Sequence, residues 1–328
     1  MNTLKTGFFT GLFILLLSGN VFSCDMCGCF MGVYPTDKRS FAGVFYRYRS
    51  FAGKDVTGSK WFPDGAFKTQ HSDHTTTTNY NNFEIYRAVE FRGRYYFHPR
   101  VEFNLVVPLI YNKSFDAGAN QSVSGIGDAT MMLGWQIIDE GHTGALIHRL
   151  LVGGGFKIAS GDCNKMQQDV RISLMMQPGT GSNDEIVYAN YQVGYNRLGL
   201  SIVPVFKLNG ENRFSEKVSD SRTINSSLFY RFEPSEDLKI IPSAQLYYEY
   251  TEGISVEGVI MKGSGMNTLM TGIGTDVLYR NMGLSLLSMM PAYEKDTGSG
   301  LKSRVKMMVG LTWYFDQSNF IFKSRKKD

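Results

Sequence analysis

The run Val305-Lys306-Met307-Met308-Val309-Gly310-Leu311-Thr312-Trp313-Tyr314-Phe315 decides how this chain folds. Val305, Met307, Val309, Leu311, Trp313 and Phe315 are all apolar, while Lys306, Met308, Gly310, Thr312 and Tyr314 between them are mixed. A strand turns successive side chains to opposite faces, so the run predicts a strand with one oily face and one partly charged face. One such strand suits many all-β proteins. Here the pattern returns about a dozen times, which points to a closed sheet whose oily face meets lipid.

Working outward from that run, the alternation predicts strands over 41–51, 83–97, 100–113, 126–139, 144–159, 184–196, 198–209, 223–233, 238–250, 267–280, 282–293 and 303–315. Val101, Phe103, Leu105, Val107, Leu109 and Tyr111 share one face opposite Glu102 and Asn104; Leu238, Ile240, Ala244, Leu246, Tyr248 and Tyr250 oppose Lys239, Ser243, Gln245 and Glu249. Short turns fall at Phe97-His98-Pro99-Arg100, Asp139-Glu140-Gly141-His142, Asn196-Arg197, Glu233-Pro234-Ser235-Glu236-Asp237 and Arg280-Asn281. Long polar loops lie between them, the largest at 52–82 and 160–183. Short turns at one end and long loops at the other belong to an up-and-down antiparallel transmembrane barrel, and an even strand count puts both termini at the periplasmic end. Pro108, Pro204 and Pro242 fall inside expected strands and must interrupt their ladders.

Composition and the N-terminus agree. Lys5, an apolar stretch from Gly7 to Leu17, and small residues at Val21 and Ser23 ahead of Cys24 form the layout of an export signal, too short in its apolar core to span a bilayer. Of 328 residues, 43% are hydrophobic and 20% charged; Gly (35), Phe (23) and Tyr (18) are abundant and Pro (9) scarce, as expected where only alternate residues face lipid and aromatics mark both interfaces. The expected organisation is a signal peptide at 1–23, a periplasmic cysteine-bearing segment at 24–40, a barrel at 41–315 and a basic periplasmic tail at 316–328. A formal charge of +4 gives no reason to expect nucleic acid as a partner.

Three glycine motifs follow one another through the chain. They are Gly125-Ile126-Gly127-Asp128 before an alternating strand, Gly153-Gly154-Gly155 running to Ser160-Gly161-Asp162, and Gln177-Pro178-Gly179-Thr180-Gly181-Ser182. In order and spacing, over roughly residues 83–315, the chain resembles the outer-membrane family named for the phenol meta-degradation pathway. The resemblance implies a bacterial outer-membrane channel or transporter for small solutes, hydrophobic or aromatic, with membrane lipid around it; the expectation of anionic solutes comes from the basic excess among the inward charges. The cysteine cluster lies outside that common pattern and is similar to a Bacteroidetes-like subset with CxxCxC near the N-terminus.

Two sets of residues carry the candidate chemistry. The alternation turns Arg47, Arg49, Arg92, Arg94, Arg149, Lys157, Lys207, Arg231, Lys239, Arg280 and Lys306 inward, with Glu84, Glu90, Glu102, Asp128, Glu249 and Asp276. They either line a passage or pair with one another and fill the barrel. Asp128 and Asp162 read as strand-end turn residues. The second set is Cys24, Cys27 and Cys29, beside Met26 and Met31. Those thiols suit a soft metal such as Cu(I) or Zn, a disulfide in an oxidising compartment, or lipidation at Cys24, and the sequence leaves all three open. A sealed barrel presenting this segment to a periplasmic redox or metal-handling partner is the alternative function. His71-Ser72-Asp73-His74 reads as a solvated loop group. No GxSxG or HExxH occurs, and no catalytic residue and no cofactor beyond such a metal is expected.

Overall fold

The computed structural model describes residues 39–53, 82–116, 119–140, 146–295, 298 and 300–315. The export signal, Cys24, Cys27, Cys29, the His71–His74 group and the tail lie outside them. Among the described residues the structure is all β apart from a short 3-10 turn at Leu174–Met176. Its strands are β1 (Ser40–Gly53), β2 (Phe83–His98), β3 (Val101–Asp116), β4 (Ala119–Ile126), β5 (Thr130–Glu140) and β6 (Leu146–Lys157). Two short strands, β7 (Met166–Gln167) and β8 (Val170–Arg171), follow in a loop; then come β9 (Asp184–Tyr195), β10 (Leu198–Leu208), the short β11 (Glu216–Val218), β12 (Ser221–Tyr230) and β13 (Leu238–Thr251). The chain ends through the hairpin β14 (Ile254–Val256) and β15 (Val259–Ile260), then β16 (Met266–Tyr279), β17 (Met282–Glu294) and β18 (Leu301–Phe315).

Thirteen strands form one antiparallel sheet that closes on itself, with neighbours in the sheet also neighbours along the chain. The last strand meets the first over its whole length, from Ser40 opposite Phe315 to Gly53 opposite Leu301. β4 and β5 are two halves of a single pass, since β4 pairs with Leu109–Asp116 of β3 and β5 with Val101–Val106. The wall therefore has twelve passes, as the alternation requires.

The oily faces look outward. Val309, Leu311 and Trp313 are 43%, 59% and 56% exposed, while Met308, Thr312 and Tyr314 between them are buried. Leu133, Trp135 and Ile137 on β5, Phe156 on β6, Ile273 on β16 and Leu286 on β17 continue the exposed apolar surface around the cylinder. A belt of that extent is tolerable only against acyl chains. The buried face is not wholly polar. Phe41, Phe45, Phe229, Ile241, Tyr247, Met270, Leu278, Leu287, Met289, Met308 and Tyr314 form one interior apolar cluster, and Met132, Leu151, Ile186, Tyr188, Val203 and Val205 another. A cylinder of about twelve strands lies between those whose side chains fill the interior and those that leave an aqueous bore, and here large side chains fill much of it.

Each proline coincides with a gap in a ladder. Pro108 lies where β3 passes from β5 to β4, its carbonyl accepting from Gly127 N at 2.8 Å. Pro204 falls in the unpaired step between β10 and β9, and Pro242 sits just beyond the last β12 pair. The sequence reading placed 114–125 in a loop; β3 instead runs on to Asp116 and returns as β4. This hairpin stands above the paired part of β6, which begins at Thr130–Lys157, and it lacks a lipid-facing alternation to reveal it.

Replacing Ile273, 73% exposed in mid-strand, with Arg is expected to cost about 2–4 kcal/mol of folding stability in lipid bilayers. Arg at Val259, 68% exposed on the outer β14–β15 hairpin, should cost under about 0.5 kcal/mol. Denaturant titrations in vesicles separate the two; equal costs would count against the lipid-facing belt.

Candidate functional site

The charged side chains on the buried face form three clusters. In the outer half, toward the long loops, Glu90 of β2 receives Arg47 of β1 (2.9 Å) and Arg92 Nε (2.9 Å). Arg49 of β1 donates to Glu249 of β13 at 2.8 Å. Those strands are separated in the sheet by β18, β17 and β16, so the pair spans the interior. The other end of the Arg49 guanidinium donates to Met266 Sδ at 3.0 Å, and Lys306 lies 3.8 Å from the Tyr247 ring centroid. Near the short-turn end, which in such barrels is periplasmic, Glu102 accepts from Tyr96 Oη (2.8 Å) and Asn104 Nδ2 (2.9 Å) and faces Arg94 at 3.5 Å. Charges this deep persist because they meet counter-ions or, at Lys306, an aromatic face; removing one partner of a buried pair costs about 3–5 kcal/mol.

The third cluster unites the three glycine motifs. Asp128, in the break between β4 and β5, accepts from Gly161 N (2.9 Å), Thr180 N (2.8 Å), Thr180 Oγ1 (2.9 Å) and Lys157 Nζ (2.9 Å). Lys157 also meets Asp184 at 2.7 Å; Asp184 meets Lys207 at 2.6 Å and accepts from Ser182 Oγ at 2.9 Å. The glycines permit this convergence. A Cβ on Gly179 would stand 2.7 Å from Asp128 Oδ1 and from Gly161, and one on Gly161 would stand 2.8 Å from the Gly127 carbonyl carbon. The node fastens the loop 158–183 to the wall beside β4. Asn112 Nδ2 of β3 adds a bond to Met176 O at 3.1 Å, and Gln167 Nε2 one to Asn120 O at 2.8 Å.

Beneath this loop is a cavity with about 580 Å³ of empty space, its open mouth included. Met175, Gln177 and Pro178 of the loop line it together with Arg47, Arg49, Phe51, Tyr86, Ala88, Ile110, Asn112, Met266 and Arg87. On its outer side the loop is held again: Arg171 pairs with Glu216 of β11 at 2.5 Å and lies 4.0 Å over the Phe214 ring. Burial opposes ionisation of Glu216, but hydrogen bonds from Arg171 and Asn212 and the Arg171 charge outweigh it and hold its pKa below the usual carboxylate value.

Of the inward residues expected from sequence, Arg49, Glu90, Arg92, Arg94, Glu102, Asp128, Lys157, Lys207, Glu249 and Lys306 are buried. Arg47, Glu84 and Asp276 are half-buried; Glu84 accepts from Tyr86 Oη at 2.7 Å, and Asp276 accepts from Ser285 Oγ. Four belong to the short-turn rim instead. Arg149 pairs with Asp139 (3.3 Å), Lys239 approaches Glu233 (3.8 Å), and Arg231 follows β12 and donates to Asn196 O (3.4 Å). Arg280 occupies a two-residue turn at φ +54° and pairs in solvent with Asp237 (3.2 Å). Asp128, expected to face inward, is a buried hub rather than a simple strand-end turn residue. Asp162 is such a residue, half-exposed and capped onto Asn164 N at 3.0 Å. Thr180, Ser182, Asp184, Tyr96 and Asn104 were not singled out from sequence. The abrupt change from a glycine motif to the strand at Asp184 was the available signal for the first three.

No protein-family model and no curated protein matches the chain. Among solved structures, an outer membrane channel from Pseudomonas putida F1 superposes with a TM-score of 0.57 at 12% identity, covering 86% of this chain and 100% of that one. The β domain of the Bordetella autotransporter BrkA (TM-score 0.44, 10% identity, 84% and 100% covered) and a FadL homologue of Pseudomonas aeruginosa (0.38, 9%, 85% and 91%) are more distant. The fold is that of bacterial outer-membrane β-barrels, and with its apolar belt it places the chain in that membrane.

Two outcomes are expected at the node and its outer tether. Asp128→Ala should lower amide protection at Gly161 and Thr180 by at least about tenfold in hydrogen exchange, because it removes the acceptor of a buried hydrogen-bonded pair. The Arg171–Glu216 link should contribute fully above the ordinary carboxylate value of 4.5 and fade as pH falls through the lower folded pKa. Exchange at Ile172 between pH 7 and acid should show that loss in the parent chain and not in Glu216→Gln.

Proposed function

We propose that the chain is an outer-membrane channel or transporter for small solutes, with its path through the barrel interior by way of the cavity under the loop 158–183. The observation that carries this reading is that cavity. It mixes arginine, amide and phenol groups with Phe51, Ile110, Met175 and Met266, as small-molecule sites do, and it lies inside a closed wall that leads from one membrane face to the other. The interior clusters below it make a wide water-filled pore a poor description. Passage would require small rearrangements of side chains already paired with one another, so the expected solutes are small and the expected conductance is far below that of an open porin. The three clusters hold Arg47, Arg49, Arg92, Arg94, Lys157, Lys207 and Lys306 against Glu90, Glu102, Asp128, Asp184 and Glu249, a small basic excess that supports only a weak preference for anions.

The packed interior also favours a second reading. A sealed barrel would anchor Cys24, Cys27 and Cys29 for a periplasmic redox or metal-handling partner.

Reconstitution in planar bilayers and liposomes tests the first reading. Small-solute swelling with low, steady conductance is expected; neither flux nor conductance from correctly folded protein would sink it. Thiol-dependent Cu(I) or Zn binding, lost in a Cys→Ser variant at positions 24, 27 and 29, would then support the second.

A further inference from the structure

We propose that the cavity under the loop 158–183 is a binding site for small organic monocarboxylates that carry a compact apolar body. The proposal names the solute class of the transport reading and rests on that reading only for its purpose. Among the described residues, the charged side chains that face the cavity from the inward side of the wall are both arginines, Arg47 and Arg49; Arg87 borders it from the outward-facing side, its Nε on Tyr111 O at 3.4 Å. The carboxylates that balance the first two, Glu90 and Glu249, do not line it. The small basic excess of the interior thus falls in the cluster beside this cavity, and a guanidinium fork is matched to a carboxylate's two oxygens.

Arg49 shows how a carboxylate would be taken. One nitrogen holds Glu249 at 2.8 Å and another donates to the thioether of Met266 at 3.0 Å. A thioether sulfur is a weak acceptor. An incoming carboxylate oxygen would replace it with a charge-assisted bond while the Glu249 pair stays intact, so no buried ion is stranded. Met266, freed from that contact, is a flexible chain suited to packing on the ligand. Phe51, Ile110, Met175 and Pro178 supply walls for an apolar body, and the Arg49 guanidinium carbon already lies 4.7 Å over the Phe51 ring. A cationic solute would meet the arginines unfavourably, and a neutral amide would replace the thioether with an uncharged acceptor.

Calorimetric titration of benzoate, benzamide and benzylamine into the folded full-length protein in micelles tests this. Benzoate should bind at least about tenfold more tightly than benzamide, with no binding of benzylamine. The paired variant Arg49→Gln/Glu249→Gln, which removes both members of that ion pair, should lose about tenfold or more for benzoate, whereas Arg280→Gln in the exposed turn should not differ from the parent. Ala88→Leu, which fills the cavity beside Arg47 without removing a charge, should abolish binding and serves if the paired variant does not fold. Equal affinity for benzoate and benzamide, or benzoate binding unchanged by filling the cavity, would overturn the site. Benzoate binding without any solute flux would retain the site and remove the transport reading; flux without benzoate binding would do the reverse.

Discussion

A backbone amide in hydrocarbon has no water to bond, so each strand of this chain must find partners on both edges or lie under something that supplies them. The pairing of β1 with β18, continued from Ser40–Phe315 to Gly53–Leu301, meets that demand at the seam. The alternation follows from it, because once the wall is closed every residue faces either lipid or the interior. Among the described residues, the outer edge of β4 is a place where the wall is thin in partners, since no barrel strand joins it. There the loop 158–183 lies alongside, and the Asp128 node fixes it.

The narrow bore sets the second constraint. Inward side chains in a cylinder of this size reach their counterparts on other strands, as Arg49 reaches Glu249 across the interior. Apolar and charged residues therefore share one face. Phe45 carries Arg92 over its ring at 4.6 Å, and Phe41 carries Arg94 at 5.5 Å. These contacts let guanidinium groups lie against aromatic carbon without losing all electrostatic compensation.

How much of this was readable in the chain depends on which solvent each residue meets. The wall strands were legible because lipid on one side forces a period of two, and the predicted run 303–315 differs from β18 only by starting two residues late. β4 was not, since its one buried apolar side chain, Val123, lies under Ile172 and Met176 of the loop and its other residues before Ile126 are small or polar. On β1 both faces are largely apolar: Phe41, Phe45 and Phe51 point in with Arg47 and Arg49, while Val44 and Tyr46 point out, so the charges gave the facing but nothing announced the interior aromatics. Arg280 failed for a local reason, because one step beyond β16 the chain turns at positive φ and the alternation no longer applies.

The glycine motifs show what sequence spacing alone leaves out. As strings they mark strand ends, and each looks like an ordinary turn. Gly127, Gly161 and Gly179 come from three separate segments, yet their backbones approach so closely that a methyl group on Gly161 or Gly179 would collide with its neighbours. Their spacing is set by a crossing in space that an alternating pattern does not encode. Asp128, Lys157 and Asp184 flank those glycines because a tight crossing of backbones in a buried place leaves amides that need an acceptor and an acceptor that needs a cation. The same crossing, with the bond from Asn112 to Met176 O, holds Met175, Gln177 and Pro178 over Arg47 and Arg49, so the node and the cavity's roof belong to one piece of structure.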